Sequence, residues 1–227
     1  MQKYPCYSVV DIEVAPIPNE EALKFAPEFK APSNYVDPKK IAAAIEEART
    51  AWLEGNALRP LTGRVCAIGW QEEDDGKNCI AMAEPHSGSP GESESGMISL
   101  LWSYLFKSDE SRVFLTFFGN RFDWPFLIRR SWDLGLDMPG WVMDNRGFLS
   151  PRFIDLAKIW SCGDPKETIS LDRLARYLRV GQKNGEGKDF AELLKSDLQK
   201  AEEYLRNDLE LTRRIAIKMG VARISVE

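Results

Sequence analysis

The run Ser8-Val9-Val10-Asp11-Ile12-Glu13-Val14 alternates with period two, the spacing of a β-strand whose successive side chains face opposite ways. Val10, Ile12 and Val14 fall on one face, and Asp11 with Glu13 on the other, so two carboxylates project side by side. Apolar residues flank the pair on both sides, which sets the strand near the centre of a sheet. An acidic pair there is costly unless a cation or water compensates it. A solvated strand face is the alternative for an isolated Asp-x-Glu, because short motifs recur by chance.

Outward from this strand, residues 64–70 and 78–83 are two more short apolar runs, and the acidic turn Glu72-Glu73-Asp74-Asp75-Gly76 joins them as a hairpin. Residues 15–62 form an insertion between the first and second strands, Pro-rich at first and then helical. Asp37-Pro38 supplies an N-cap and first turn, with the helix body over residues 41–52. Residues 85–96, rich in Ser, Gly, Pro and Glu, have the composition of a flexible loop. A helix over 97–106, a strand over 112–118, a helix over 124–134 and a strand over 153–158 follow. The last third is helical: Leu171, Leu174, Ala175 and Leu178 recur at helical spacing, and a long helix covers roughly 196–219. Strands first, then alternation, then helices specify an α/β fold with one mixed five-stranded sheet flanked by helices. With no internal repeat and no second boundary, residues 1–227 are expected to form a single domain.

The 227 residues carry 30 basic and 35 acidic side chains, a net charge of −5, and are 44% hydrophobic and 29% charged, a composition neither disordered nor membrane-embedded. No apolar run approaches the roughly 18 residues of a spanning helix. The start Met1-Gln2-Lys3-Tyr4-Pro5-Cys6-Tyr7 lacks the apolar stretch and cleavage site of a signal peptide, so the expected compartment is the cytoplasm, with no membrane partner. Cys6, Cys66, Cys79 and Cys162 form no C-x-x-C pair and are expected as reduced thiols. One histidine, His86 in the 85–96 loop, excludes H-E-x-x-H zinc hydrolases and multi-histidine iron or copper sites. Catalysis would fall to carboxylates, and an oxygen-only ligand set suits Mg²⁺ or Mn²⁺.

Two further segments carry acidic residues at informative places. Phe117-Phe118-Gly119-Asn120-Arg121-Phe122-Asp123-Trp124-Pro125 runs from a strand end into a helix start. Asp123 there is either an N-cap or, with Asn120, part of a ligand site at the carboxyl edge of the sheet, where open α/β sheets bind. On the long helix, Tyr204 and Asp208 stand at i and i+4 on one side, beside Leu205 and Leu209. Alone, such a pair is also the pattern of a helix surface.

Taken together and in this order, Asp11 and Glu13 on a first strand, Asn120-Arg121-Phe122-Asp123 after a later strand, and Tyr204 with Asp208 near the C-terminal end resemble the three motifs of the DEDD superfamily of 3′-to-5′ exonucleases, in its tyrosine-bearing branch. Within it the chain looks most like the PolB-like 3′-to-5′ exonucleases of bacteria and phages, on Lys30-Ala31-Pro32, Asp37-Pro38-Lys39-Lys40-Ile41 and Leu61-Thr62-Gly63-Arg64-Val65. The resemblance spans nearly the whole chain, residues 7–220, and implies a ribonuclease-H-like fold. It also implies two divalent cations, Mg²⁺ or Mn²⁺, since four carboxylates alone would repel a phosphodiester. By that resemblance Asp11 bridges both ions, Glu13 and Asp208 complete one, and Asp123 holds the other directly or through water. Tyr204 is then the hydrogen-bond partner of the nucleophilic water, as base or as orienting group, and Asn120 positions substrate. Asp155 is a lesser candidate for support.

The partner so implied is single-stranded nucleic acid, DNA 3′ ends favoured, with a polymerase or repair protein as a separate chain. Candidate contacts are Arg173 and Arg176, which with Arg179 lie opposite the apolar stripe of their helix, and Lys183 and Lys188 in the Gly-rich stretch Gly181-Gln182-Lys183-Asn184-Gly185-Glu186-Gly187-Lys188. A solvated helix face with a connector is the alternative for these. Phe122 and Trp124 are candidates to stack on a terminal base, or to pack in the core. An exoribonuclease of short RNA would use the same metal site, and a catalytically silent nucleic-acid-binding relative would be expected to have lost a ligand or the tyrosine.

Overall fold

The computed structural model describes Tyr4 and residues 6–73, 78–83 and 90–223. Five strands form one sheet in the order β3-β2-β1-β4-β5, with β1 (Tyr7–Pro16), β2 (Gly63–Glu72), β3 (Asn78–Met82), β4 (Val113–Thr116) and β5 (Phe153–Asp155). The sheet is mixed: β1 and β4 are parallel, as are β4 and β5, whereas β2 and β3 are antiparallel. This is the expected mixed five-stranded α/β sheet, consistent with a ribonuclease-H-like fold. Among the described residues no helix is long and apolar enough to cross a membrane.

The strand carrying the acidic pair is the third of five, which explains why it is apolar on both faces. Tyr7 and Val9 of β1, with Val113 and Leu115 of β4, face a core closed by Leu174, Leu209, Ile215 and Ala216. These last residues come from α6 (Leu171–Leu178) and α8 (Leu198–Lys218). Asp11 and Glu13 continue the Tyr7–Val9 register on that same face. The opposite face meets α3 (Pro90–Lys107) and α4 (Asp123–Leu134): Ser8 Oγ and the Tyr104 hydroxyl are 2.5 Å apart, and Trp124 of α4 meets Phe114 of β4 edge-on at 6.3 Å. Helix α8 can lie close to β2 because position 69 is glycine. A Cβ there would stand 2.8 Å from Leu209 Cδ1 and 3.1 Å from Leu205 Cγ, closer than real contacts allow.

By contacts the chain divides into two compact units, Met1–Glu13 with Val65–Glu227, and Val14–Arg64. The second holds the short α1 (Asn19–Ala22) and the long α2 (Pro38–Glu54). As the sequence predicts, Asp37 caps α2, accepting the Lys39 N–H at 2.9 Å, with Pro38 in the first turn. Trp52 near its end meets Phe29 edge-on at 6.0 Å and the Arg59 guanidinium at 5.0 Å.

Several boundaries differ from the sequence reading. Helix α3 begins at Pro90, inside the expected loop, because Pro is suited to a first helical turn. The rest of that loop, with His86, and the hairpin tip at residues 74–77 lie outside the described residues. The run 153–158 is strand only as far as Asp155. There the carboxylate accepts the Ala157 and Lys158 N–H groups and starts a short helix, α5 (Leu156–Trp160). Helix α7 (Phe190–Ser196), also unread, precedes α8.

Candidate metal centre

Where β1 passes beyond the cover of α8, Asp11, Glu13 and Asp208 converge. One oxygen from each lies within 4.8 Å of the others. Asp11 and Glu13 are half-buried and Asp208 is buried. Asp208 reaches the strand because it lies on the buried side of α8, one helical turn from Tyr204, Leu205 and Thr212, all of them buried.

Asp123 approaches from the other side. It is the first residue of α4, yet its side chain does not cap that helix. Instead Oδ1 accepts the Ile12 backbone N–H at 3.3 Å. The turn that delivers it is held by Asp155, which accepts the N–H groups of Phe118 at 3.0 Å and Asn120 at 3.3 Å as well as those of α5. Phe118 sits in the left-handed region at φ 64°, a conformation that persists only where surrounding bonds over-determine it. Asp155 is therefore a structural hub behind Asp123.

The electrostatics follow from crowding. Burial raises the Asp11 carboxyl well above its ordinary range, and Asp123, Glu13 and Asp208 add to this, against the pull of Lys183. Burial and Asp208 push Glu13 up to about 8. Burial pushes Asp123 up to about 7 although two backbone N–H groups favour its ionised form. Asp208 is raised by burial against the opposing effect of Lys183. Burial, then Glu13 and Asp208, hold the Tyr204 phenol protonated.

A group of carboxyls raised by burial, with neighbouring carboxylates adding to it, is what a hard divalent cation would relieve. Asp208 adds a direct sign of fit: its Oδ1 is buried and has no hydrogen-bond partner, a costly state for a carboxylate oxygen. Asp11, Glu13 and Asp208 can thus hold a metal ion.

The fold is similar to part of a DNA polymerase. Over 95% of this chain and 24% of the other, it matches the family B DNA polymerase of the hyperthermophilic archaeon Pyrobaculum calidifontis, with a TM-score of 0.57 and 20% sequence identity. The chain spans about a quarter of that polymerase's length, and at this identity the likeness concerns the fold. No protein-family model and no curated protein matches the chain.

The other site residues have varied surroundings. Tyr204 is buried, packed at 5.6 Å from Phe190 of α7. The Gly-rich stretch lies against it: a Cβ at Gly185 would stand 2.9 Å from Tyr204 Cδ2, and one at Gly187 would stand 3.4 Å from the Tyr204 hydroxyl and 3.7 Å from Glu13 Oε2. Asn120 donates its side-chain N–H to Phe153 O at 3.2 Å, while its Oδ1 is buried without a partner.

Trp124 requires a correction. It is fully buried and stacked on Phe153 at 3.9 Å, so it is a core ring and unavailable to a nucleotide base. Phe122 is half-buried, 5.5 Å from Phe126. Arg173 and Arg176 are exposed on α6, Arg176 paired with Asp172 at 3.0 Å. Lys188 is exposed and paired with Glu186 at 2.7 Å.

Lys183 departs furthest from the expectation of a solvent-facing contact. Its ammonium donates to the Tyr204 hydroxyl at 2.6 Å and to Asp208 Oδ2, and lies 4.7 Å from the Tyr204 ring centroid. Its backbone N–H donates to Asp172 Oδ1 at 2.9 Å. Sequence reasoning assigned it to substrate because a lysine among glycines carries no local mark of a partner more than twenty residues away.

Proposed function

We propose that this chain is a metal-dependent 3′-to-5′ exonuclease acting on single-stranded nucleic acid, with DNA favoured. The observation that carries this reading is the convergence of Asp11, Glu13 and Asp208 from β1 and α8, with Asp123 bonded to the strand between the first two and Tyr204 one helical turn before the third. When bound, two divalent cations would neutralise the scissile phosphodiester and stabilise the attacking and leaving oxygens of an in-line displacement. Asp11, Glu13, Asp123 and Asp208 would hold them. The Tyr204 hydroxyl would orient the attacking water by hydrogen bonding.

Asn120, with its unpaired buried Oδ1, would position the terminal nucleotide, and half-buried Phe122 would stack on its base. Arg173, Arg176 and Lys188 would bind the backbone of the strand behind it. Likeness to part of a DNA polymerase supports DNA as the polymer. The whole chain would act as one exonuclease domain, with residues 15–62 as an accessory insertion and any polymerase or repair partner as a separate chain.

The test is digestion of single-stranded oligonucleotides labelled at the 5′ end, with Mg²⁺ or Mn²⁺. Stepwise shortening from the 3′ end, abolished by a blocked 3′ end or by chelator, is expected. Activity that survives chelation, or cuts in circular DNA, would refute the reading. RNA run in parallel decides the sugar, since only its 2′-OH distinguishes the two.

A further inference from the structure

The carboxylate cluster already holds one cation of the protein's own. The Lys183 ammonium bonds to both Asp208 and Tyr204, with side-chain exposures of 21% for Lys183 and 5% for Asp208. A surface ion pair is worth little, but this one is neither exposed nor incidental. The backbone on either side is shaped to deliver it: Asp172 fixes the Lys183 N–H, Gly181 has φ 146°, and Gly185 lies against Tyr204 where a side chain would crowd it. Asp208 is left divided, with Oδ2 on the lysine and Oδ1 buried and unpaired.

Resting on the metal-dependent reading above, we propose that Lys183 is the resting counter-ion of the acidic cluster, and that a divalent cation binds there by displacing its ammonium from Asp208. An ammonium and a divalent cation a few ångströms apart on one carboxylate repel strongly at low local dielectric. The weaker charge gives way. Lysine suits this exchange, being a compact charge on a flexible stem. A cavity of about 400 Å³, whose lining includes Lys183, Arg176, Asp172 and Glu186, opens beside it, and its two carboxylates can receive the displaced ammonium. Without metal the lysine is held on Asp208, and with metal its ammonium moves out into this cavity.

The experiment measures Mn²⁺ binding by electron paramagnetic resonance, without nucleic acid, for the wild type, Lys183→Met, Glu13→Gln and Asp208→Asn. Lys183→Met is expected to bind Mn²⁺ at least about tenfold more tightly than wild type, because the competing charge is gone. Equal or weaker binding overturns the inference while leaving the metal site intact, provided the wild type binds Mn²⁺ and the two carboxylate variants lose it. A wild type that binds no Mn²⁺ overturns both the inference and the proposed function.

Reductive methylation of the wild type, read by mass spectrometry, does not depend on any variant folding: labelling at Lys183 is expected to rise several-fold with Mn²⁺, and unchanged labelling overturns the displacement.

Discussion

The Asp123 carboxylate accepts the backbone N–H of Ile12 at 3.3 Å, so the first residue of α4 is tied to β1 at the residue between Asp11 and Glu13. One hydrogen bond thus brings an acidic group from a separate element to the strand that carries two others. Its cost is electrostatic, since Asp123 is the strongest charged neighbour raising Asp11.

That cost predicts the behaviour of Asp11→Asn. Without metal the variant should melt higher than wild type, because one of the repelling carboxylates is gone, although Lys183 already offsets part of the repulsion. For the wild type, Mn²⁺ at about 100 times its dissociation constant should add roughly 2.7 kcal/mol, or about 5 to 10 °C in Tm. The variant should gain little and be inactive. Thermal melts of both proteins with and without Mn²⁺ measure this, and identical metal-induced shifts would remove Asp11 from the ligand set.

A pH dependence follows from Glu13. Its folded carboxyl lies at about 8, against an ordinary value of 4.5, so between these pH values the folded state holds a proton that the unfolded state has lost. Its contribution to stability is full below about 4.5 and lost as pH rises through about 8. The metal-free wild type should therefore lose Tm across that window relative to Glu13→Gln, whose amide does not titrate. Saturating Mn²⁺ should reverse the trend, because the metal binds the ionised form. Parallel wild-type and variant curves without metal would contradict the prediction.

Tyr204→Phe separates chemistry from metal holding. The hydroxyl is expected to touch the attacking water, so turnover should fall by about 10² to 10⁴ while Mn²⁺ affinity stays within a few-fold of wild type. Single-turnover digestion and Mn²⁺ titration give the two numbers. A loss of affinity matching that of Asp208→Ala would make Tyr204 part of the metal site instead.

Asp155 should matter through structure. Asp155→Ala strands four backbone N–H groups, at Phe118, Asn120, Ala157 and Lys158. With about 0.5 to 2 kcal/mol for a lost cap and about 1 to 3 for each buried donor left unpaired, partly recovered by relaxation and water, a net loss of about 2 to 4 kcal/mol is expected. That is roughly 5 to 15 °C in Tm. Asp155→Asn keeps one acceptor oxygen and should lose about half as much. A Tm within 2 °C of wild type for the alanine variant would show that the turn is held by other contacts.

The local patterns of the chain were sufficient for the sheet and for the pairing of Asp11 with Glu13, because a period of two is a property of neighbouring residues. The same holds for α2, whose start is written in Asp37 and Pro38, and for Tyr204 and Asp208, which helical spacing alone puts on one side of α8. Tertiary structure decided what depends on distant partners. The apolar run from Phe153 continues past Asp155, yet the strand stops there because the carboxylate finds four N–H donors, two of them more than thirty residues away. Trp124 stands beside Asp123 in sequence, but Phe153 and Phe114 claim its ring for the core. Lys183 is one of many lysines until α8 brings Tyr204 and Asp208 to it. Polar pairing across 21 and 25 residues leaves no periodicity to read, because the energy that selects it exists only once the elements have packed.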